Sequence, residues 1–262
     1  MEIYQEVAAL TSGGQSGVIC TIVFSQGSTP RHIGSKMLVF GDGKFVGTVG
    51  GGEVESRVIR EALEALKDGK PRLLRYNMVD PARGDPGVCG GQLEVFVEPI
   101  QPEPTIVVIG GGHVGKAVTH LARWLGFRVA LSDDRPEYCT PEYDPDAQEF
   151  YPFPMKELPQ HLPINSQTYL ILTTRGAPVD IAGLPELLKT DPAYLGVIGS
   201  KRRWMVTRKA LIEAGIPGEA LDRIHSPLGI EINAETPEEI AVSILAQIIQ
   251  QRNGGSKKIT NQ

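Results

Sequence analysis

The chain has 262 residues, enough for one large domain or two small ones, each with its own core. Hydrophobic residues make up 41% and charged residues 22%, the balance of an ordinary globular protein. The formal net charge of −5 is spread along the chain with no acidic or basic block, which argues against a nucleic-acid surface.

The N-terminal stretch opens with Ile3, Val7, Ala8 and Leu10 at helical spacing and stops at Gly13-Gly14, so a short amphipathic helix is predicted. It has no basic segment leading into an apolar core, so it does not read as a signal peptide, and no apolar run is long enough to span a bilayer. Strands follow over residues 18–24, 36–40 and 45–49, the last two flanking a Gly41-Asp42-Gly43 hairpin signal. Gly50, Gly51 and Gly52 lead into a helix over 53–67, where Val54, Val58, Ala62 and Leu66 recur every four residues and Gly69 closes the run. Further strands are predicted over 72–77 and 92–98. Pro99, Pro102 and Pro104 then mark a linker, because proline cannot donate to a strand ladder.

Beyond the linker the pattern becomes strand, glycine loop, helix, repeated. Strands are predicted over 105–109, 128–131, 169–172 and 194–198, with a helix over 113–125. The last helix begins at Thr236-Pro237 with Glu239 completing a capping box; its buried stripe is Ile240, Ala241, Ile244, Leu245 and Ile248. The fold class is therefore α/β: a smaller N-terminal α+β domain over 1–100, a Rossmann-like parallel sheet over 104–252, and a polar tail over 253–262.

Four loops carry the candidate chemistry. Gly110, Gly112 and Gly115 form G-x-G-x-x-G directly after a strand and before a helix, and His113 lies inside that loop. The first glycine permits the turn, the second lets a pyrophosphate approach, and the third lets helix and strand pack. Asp133 and Asp134 close the next strand, where an acid can bind a ribose hydroxyl; on charge grounds Asp133 favours NAD over NADP. Gly50, Gly51 and Gly52 make a second strand–glycine–helix junction, which reads equally as an anion site or as a plain tight turn. Ser200 caps a helix whose first turn holds Lys201, Arg202 and Arg203, where the helix dipole disfavours cations by a few tenths of a kcal/mol each; an anionic ligand or a partner carboxylate would offset this, and a plain solvated basic turn is the other reading. Cys89 stands before Gly90 and Gly91, a thiol in a loop whose backbone can come close to a ligand; it is the one candidate metal ligand, and its other reading is a small buried hydrophobe, the commonest fate of a free cysteine. Cys20 reads as a buried strand residue. The three cysteines are odd in number, lack a CxxC, and fit a reducing cytoplasm. His225, before Ser226-Pro227-Leu228-Gly229, reads by default as a histidine that satisfies a local carbonyl.

Taken in order, Gly27-Ser28-Thr29-Pro30-Arg31, Gly34-Ser35-Lys36-Met37-Leu38, Gly50-Gly51-Gly52-Glu53-Val54-Glu55, Cys89-Gly90-Gly91, Gly110-Gly111-Gly112-His113-Val114-Gly115, Asp133-Asp134-Arg135-Pro136, the 194–203 segment and His225-Ser226-Pro227-Leu228-Gly229 resemble the XdhC/CoxI family. The resemblance implies an accessory protein for xanthine dehydrogenase-type molybdenum hydroxylases. Such a protein binds the molybdenum cofactor, supports its sulfuration and delivers it to the apoenzyme, with a cysteine desulfurase as second partner. Catalysis by the chain itself is not required, and a homodimer is left open. The cofactor is expected in the cleft between the two halves, touched by Ser35, Lys36, Gly50, Gly51, Gly52, Cys89, Gly90, Gly91, Gly112, His113, Ser200, Lys201, Arg202 and Arg203. Two positions depart from the family pattern: Glu53 stands where many relatives have Cys or His, and 173–176 carries no histidine. An NAD(P)-dependent oxidoreductase and a nucleotide-sensing module are the alternative readings of the same glycine loop.

Overall fold

A computed structural model describes residues 2–78 and 90–253, apart from the side chain of Glu2. The chain divides into two compact units, Met1–Pro102 and Glu103–Gln262.

The first unit is a five-stranded antiparallel sheet in the order β3-β2-β1-β5-β4. Its strands are β1 (Gly17–Gln26), β2 (Lys36–Phe40), β3 (Phe45–Gly47), β4 (Arg72–Asn77) and β5 (Gln92–Ile100), with helices α1 (Glu2–Ser12) and α2 (Gly52–Asp68). Alternation decides which residues enter the core. Val18, Cys20 and Ile22 of β1, Met37 and Val39 of β2, and Leu93, Val95 and Val97 of β5 pack against Val54, Val58, Ala62 and Ala65 of α2. The helix confirms the four-residue pattern as far as Ala62. Its 3.6-residue period then brings Ala65 into the core and leaves Leu66 half-buried. Gly69 ends it in the left-handed conformation, φ 67°, as a C-terminal glycine should.

Two expectations change here. The strand over 45–49 ends at Gly47, which has φ 81°; a Cβ there would lie 2.4 Å from the Lys36 carbonyl oxygen. Pro99 lies inside β5 rather than in a linker. It pairs with Val18 of β1, while β4 reaches only as far as Val97, so the missing N–H of Pro99 deprives no second neighbour.

The second unit is a five-stranded parallel sheet in the order β10-β9-β6-β7-β8. The strands are β6 (Thr105–Ile109), β7 (Arg128–Ser132), β8 (Glu149–Tyr151), β9 (Thr168–Leu172) and β10 (Tyr194–Val197). The chain starts in the middle, steps outward to β8, then returns to the other side of β6, which is the Rossmann arrangement. Helices α3 (His113–Trp124) and α7 (Pro237–Arg252) cover one face, over Ile106, Val108, Val129 and Leu131. Helices α4 (Ala177–Leu187) and α5 (Lys201–Glu213), with a 3-10 segment Met155–Gln160, cover the other, over Val107, Ile109, Ala130 and Leu170. A four-residue helix α6 (Gly218–Leu221) follows α5. The interiors of β6, β7, β9 and β10 are apolar because both faces are covered. The predicted capping box is present: Thr236 Oγ1 accepts from the Glu239 N–H at 3.2 Å, and Glu239 Oε2 accepts from the Thr236 N–H at 3.2 Å. Strand β8 has no apolar run to announce it. It is an edge strand of three half-buried residues, and Arg128 of β7 donates to Glu149 across the pair at 2.6 Å.

The tightest point of this unit lies between α3 and β6. A Cβ on Gly115 would stand 1.9 Å from the Gly110 carbonyl oxygen, a backbone atom that cannot turn aside. Gly115→Ala is therefore expected to destabilise the protein by about 2 kcal/mol or more, an overpacking cost. Gly112→Ala, at φ −70° with no heavy atom within 4 Å of an added Cβ, is expected to leave stability unchanged. Urea midpoints of the two variants check this directly.

Candidate functional sites

In the first unit, antiparallel pairing brings several predicted residues to one end of the sheet. The C-terminal ends of β1 and β3 and the N-terminal ends of β2 and β5 lie there together. The turns at those ends interlock. A Cβ on Gly91 would lie 2.3 Å from the Ser28 carbonyl oxygen, and a Cβ on Gly50 would lie 2.8 Å from Pro30 Cγ. Gly90 donates to the Met78 carbonyl at 2.6 Å, and Ser35 accepts from the Ile22 N–H at 3.0 Å. The 27–30 turn is thus packed between Gly50 and Gly91, with Ser35 beside it at the start of β2. Cys89, the predicted metal ligand, falls outside the described residues.

Helix α2 opens from this end. No side chain caps it; Gly51 and Gly52, at φ 75° and 60°, face open space where a Cβ would otherwise stand. The acidic residues of its first turn are drawn sideways. Thr48 Oγ1 donates to Glu55 and accepts from the Gly50 N–H at 3.1 Å. Glu53 pairs with Arg57 at 2.9 Å, and that hydrogen bond holds its carboxyl below the usual range. Lys36 belongs elsewhere. Met37 and Val39 turn toward α2, so Lys36 lies on the opposite face of the sheet, its ammonium donating to Thr21 Oγ1 at 3.2 Å.

In the second unit the three loop glycines have separate jobs. Gly110, at φ 115°, lies so close to β9 that a Cβ would meet the Thr173 carbonyl oxygen at 2.7 Å; Thr173 Oγ1 donates to the Gly110 carbonyl at 2.7 Å. Gly115 sets the helix-to-strand distance. Gly112 faces open space at the uncapped start of α3, with His113 exposed beside it. Helix α3 has no acidic residue in its first turn. Among the described residues no three His, Cys, Asp or Glu side chains gather as a metal would require.

Asp133 is turned into the loop instead of toward a sugar. Its side chain is 2% exposed. Oδ2 accepts from the Gly111 N–H at 2.8 Å and from Arg135 Nη2 at 2.8 Å, and Oδ1 accepts from the Arg135 N–H and Nε, each at 2.9 Å. A carboxylate offers about four acceptor positions, and here all are filled. The Arg135 guanidinium rests on the Tyr138 ring, 3.9 Å from its centroid. Asp134 pairs with Arg175 through both carboxylate oxygens, which holds its carboxyl below the usual range.

Ser200 caps α5, accepting from the Arg203 N–H at 3.2 Å. Arg203 folds inward, where Nη2 donates to Asp180 at 2.7 Å and to Thr174 Oγ1 at 2.7 Å, and Nη1 donates to the Thr174 carbonyl at 3.2 Å. Asp180 is fully buried. The partner carboxylate expected for the basic turn therefore exists for Arg203, while Lys201 and Arg202 are exposed with no ion-pair partner among the described residues. Through Thr173 and Thr174, the Gly110 turn and the Ser200 turn flank the end of β9. Asp180 was not singled out in the sequence, and Thr174 and Arg175 were noted only as part of the histidine-free 173–176 segment; an acid among the apolar residues at the start of α4 was the available signal.

The remaining thiols and histidine are structural. Cys20 is buried, which pushes its thiol up to about 12, and Cys139 Sγ donates to the Leu131 carbonyl at 3.2 Å. His225 stacks on Tyr194 with ring centroids 4.5 Å apart, and its backbone bridges Leu195 and Val197 of β10.

Two family models match the chain: one described as the XdhC Rossmann domain over residues 106–248, the other as the XdhC and CoxI family over residues 10–77. The uncharacterised protein YqeB of Escherichia coli (strain K12) is 37% identical over 255 residues, 97% of this chain and 47% of its own length. A probable xanthine dehydrogenase subunit of Bacillus subtilis (strain 168) is 32% identical over 161 residues, 60% of this chain and 46% of its own. The molybdenum cofactor insertion chaperone PaoD of Escherichia coli (strain K12) is 26% identical over an alignment of 278 positions, covering 94% of this chain and 86% of its own. The chain thus spans about half the length of the first two of these relatives. A crystal structure of a xanthine dehydrogenase from Bacillus halodurans shares the fold, with a TM-score of 0.51 and 24% identity over 98% of this chain and 97% of that one.

Two outcomes follow from the buried groups. Arg203→Met leaves Asp180 charged and unpaired in the interior and is expected to cost about 3 kcal/mol or more, whereas Lys201→Gln should stay within about 0.5 kcal/mol of the parent; chemical denaturation separates them. Burial lowers the His225 pKa below its ordinary value. A group depressed in the fold gives stability that is complete above its unfolded pKa of about 6.5 and declines as pH falls below it. Part of the stability lost between neutral and mildly acidic pH should therefore disappear in His225→Phe, which keeps the ring stack, as read from urea midpoints across that range.

Proposed function

The chain belongs to the XdhC and CoxI family, and on that premise we propose that it binds the molybdenum cofactor, supports its sulfuration and delivers it to a xanthine dehydrogenase-type hydroxylase. The observation that carries the reading is the sheet end of the first unit. Interlocked glycine turns there open onto the N-terminus of α2, which no side chain caps and whose first-turn acids are tied to Thr48 and Arg57. Free N–H groups at a helix start suit a phosphate. Glycines let a bulky ring system lie against the backbone, since Gly51 and Gly52 leave the space a side chain would fill.

A molybdopterin carries a phosphate and a dithiolene that holds the metal, and when bound it supplies the metal centre that the hydroxylase needs. The residues proposed to hold it are Ser35, Gly50, Gly51, Gly52, Gly90 and Gly91. Cys89, next in sequence to Gly90, is proposed as the soft contact to the metal or its sulfur. Lys36, on the far face, is left out of that set. The chain's own part is to bind, orient and shield; no proton transfer or bond-making step by its side chains is needed. The likeness to a cofactor insertion chaperone supports this role, and the proposed partners are a hydroxylase apoenzyme and a cysteine desulfurase.

The test is retention of cofactor by the whole protein purified from a cofactor-producing host, with released pterin read by fluorescence and metal by elemental analysis. Gly51→Ala puts a methyl group into the open space at a left-handed position, and is expected to lower pterin retention by roughly ten-fold, the equivalent of about 1.4 kcal/mol. Lys36→Ala should retain pterin within about two-fold of the parent, since the Lys36 side chain reaches the opposite face. A parent protein that carries neither pterin nor molybdenum, together with a hydroxylase that stays fully active when the gene is deleted, ends this proposal.

A further inference from the structure

The second unit contains a cavity of about 340 Å³ that the cofactor reading does not use. It opens at the carboxyl ends of β6, β7 and β9, beside the point where the chain reverses its direction across the sheet. Ligands of open α/β sheets bind at such points. The walls are mostly apolar: Phe153, Met155, Val179 and Gly183 line them. A Cβ on Gly183 would come within 2.3 Å of Met155 Cε, so Met155 packs directly on the backbone of α4 and closes that side of the cavity. The volume lies at the small end of small-molecule pockets, right for one flat heterocycle and its sugar. Ser132 also lines it, on the same face of the sheet as Ile109, and its buried Oγ has no hydrogen-bond partner among the described residues. A buried hydroxyl without a partner is a polar contact waiting for a ligand or a water.

The rim is unevenly charged. Arg135, Lys156 and Arg175 line it together with Asp133 and Asp134. Both carboxylates are already claimed, Asp133 by Arg135 and Asp134 by Arg175. Lys156 is exposed and has no ion-pair partner among the described residues.

We propose that this cavity is a nucleotide site that prefers a ribose carrying a phosphate to one with free hydroxyls. A free ribose is gripped by a carboxylate with open acceptor positions, and Asp133 has none left. The acid expected to favour NAD is spent on Gly111 and Arg135. Arg135 uses Nε and Nη2 on Asp133, so Nη1 stays available as a donor, and the Tyr138 ring fixes the guanidinium plane. With Lys156 in the same lining, the cavity presents donors and positive charge for a sugar phosphate. The heterocycle occupies the apolar slot between Phe153, Met155 and Val179, with Ser132 as its polar contact.

The experiment is calorimetric titration of the whole protein with NADP+ and NAD+, and with 2′,5′-ADP and 5′-AMP, pairs that differ by the sugar phosphate. NADP+ is expected to bind about ten-fold or more tightly than NAD+, a difference near 1.4 kcal/mol, and 2′,5′-ADP to lead 5′-AMP likewise. Because Arg135 also supports a buried acid, the rim is tested at Lys156. Lys156→Gln should shrink the NADP+ preference and leave NAD+ binding where it was. Ala182→Trp, on the exposed side of the cavity wall, should abolish binding of all four. Equal binding of NADP+ and NAD+ overturns the phosphate preference. No binding of any of the four at millimolar concentration, or undiminished binding by Ala182→Trp, overturns the site itself.

Discussion

A peptide N–H at the end of a buried strand must find a partner, and the structure turns on where those partners come from. At the end of β6 the chain supplies them itself. Gly110 donates to the Ser132 carbonyl at 2.7 Å, and Gly111 donates to Asp133 at 2.8 Å. Only at Gly112 and His113, where α3 begins without a capping side chain, does the backbone turn outward. In the first unit the same division holds. Gly50 donates to Thr48 Oγ1, and the outward groups begin at Gly51 and Gly52. Each glycine loop thus has an inner part that holds the turn and an outer part left to a ligand.

The charged residues are sorted by the same rule. Burying Asp133 and Asp180 is costly unless each is matched by a cation with good geometry. Arg135 and Arg203 supply that match, and each is thereby held in one orientation. Arg203 also reaches the Thr174 carbonyl, tying α5 to the end of β9. The basic turn at the start of α5 therefore contains one structural cation and two exposed ones. Its unfavourable placement against the helix dipole, a few tenths of a kcal/mol per charge, is small beside the cost of leaving Asp180 unpaired.

What was legible in the sequence was local. Short apolar runs gave four of the five parallel strands, Gly41-Asp42-Gly43 gave the β2–β3 hairpin, and Thr236-Pro237 with Glu239 gave the start of α7, because each signal lies within a few residues. The errors arise where distant residues decide. Leu66 yields its place to Ala65 because the helix period rotates against the sheet. Gly47 ends β3 because the Lys36 carbonyl stands in front of it. Pro99 stays in a strand because β4 is too short to miss its N–H. Asp133 looked like a ligand-binding acid because it follows a strand at the expected distance. Its real partners are an amide 22 residues back and an arginine two residues on, and the choice between them and a sugar is made in three dimensions. The pairing of Asp180 with Arg203 spans 23 residues and leaves no periodic trace at all.

The spacing of Gly110, Gly112 and Gly115 is usually taken as a single sign of nucleotide binding, but what an added methyl group would meet separates it into fold and function. At Gly115 and Gly110 it would strike backbone, at 1.9 and 2.7 Å, so those glycines are fixed by packing whether or not anything binds. At Gly112 it would meet nothing, and φ there is −70°, which any residue adopts, so packing alone does not require glycine. A glycine that the fold does not need, at the open start of an uncapped helix, is the part of the motif that speaks for a ligand. Gly90 and Gly91 differ in space alone: Gly91 is wedged against the Ser28 carbonyl, whereas Gly90 has open space beside it, though its φ of 79° by itself favours glycine. Packing thus accounts for glycine at the wedged members of each cluster, and the open members are where a ligand finds room.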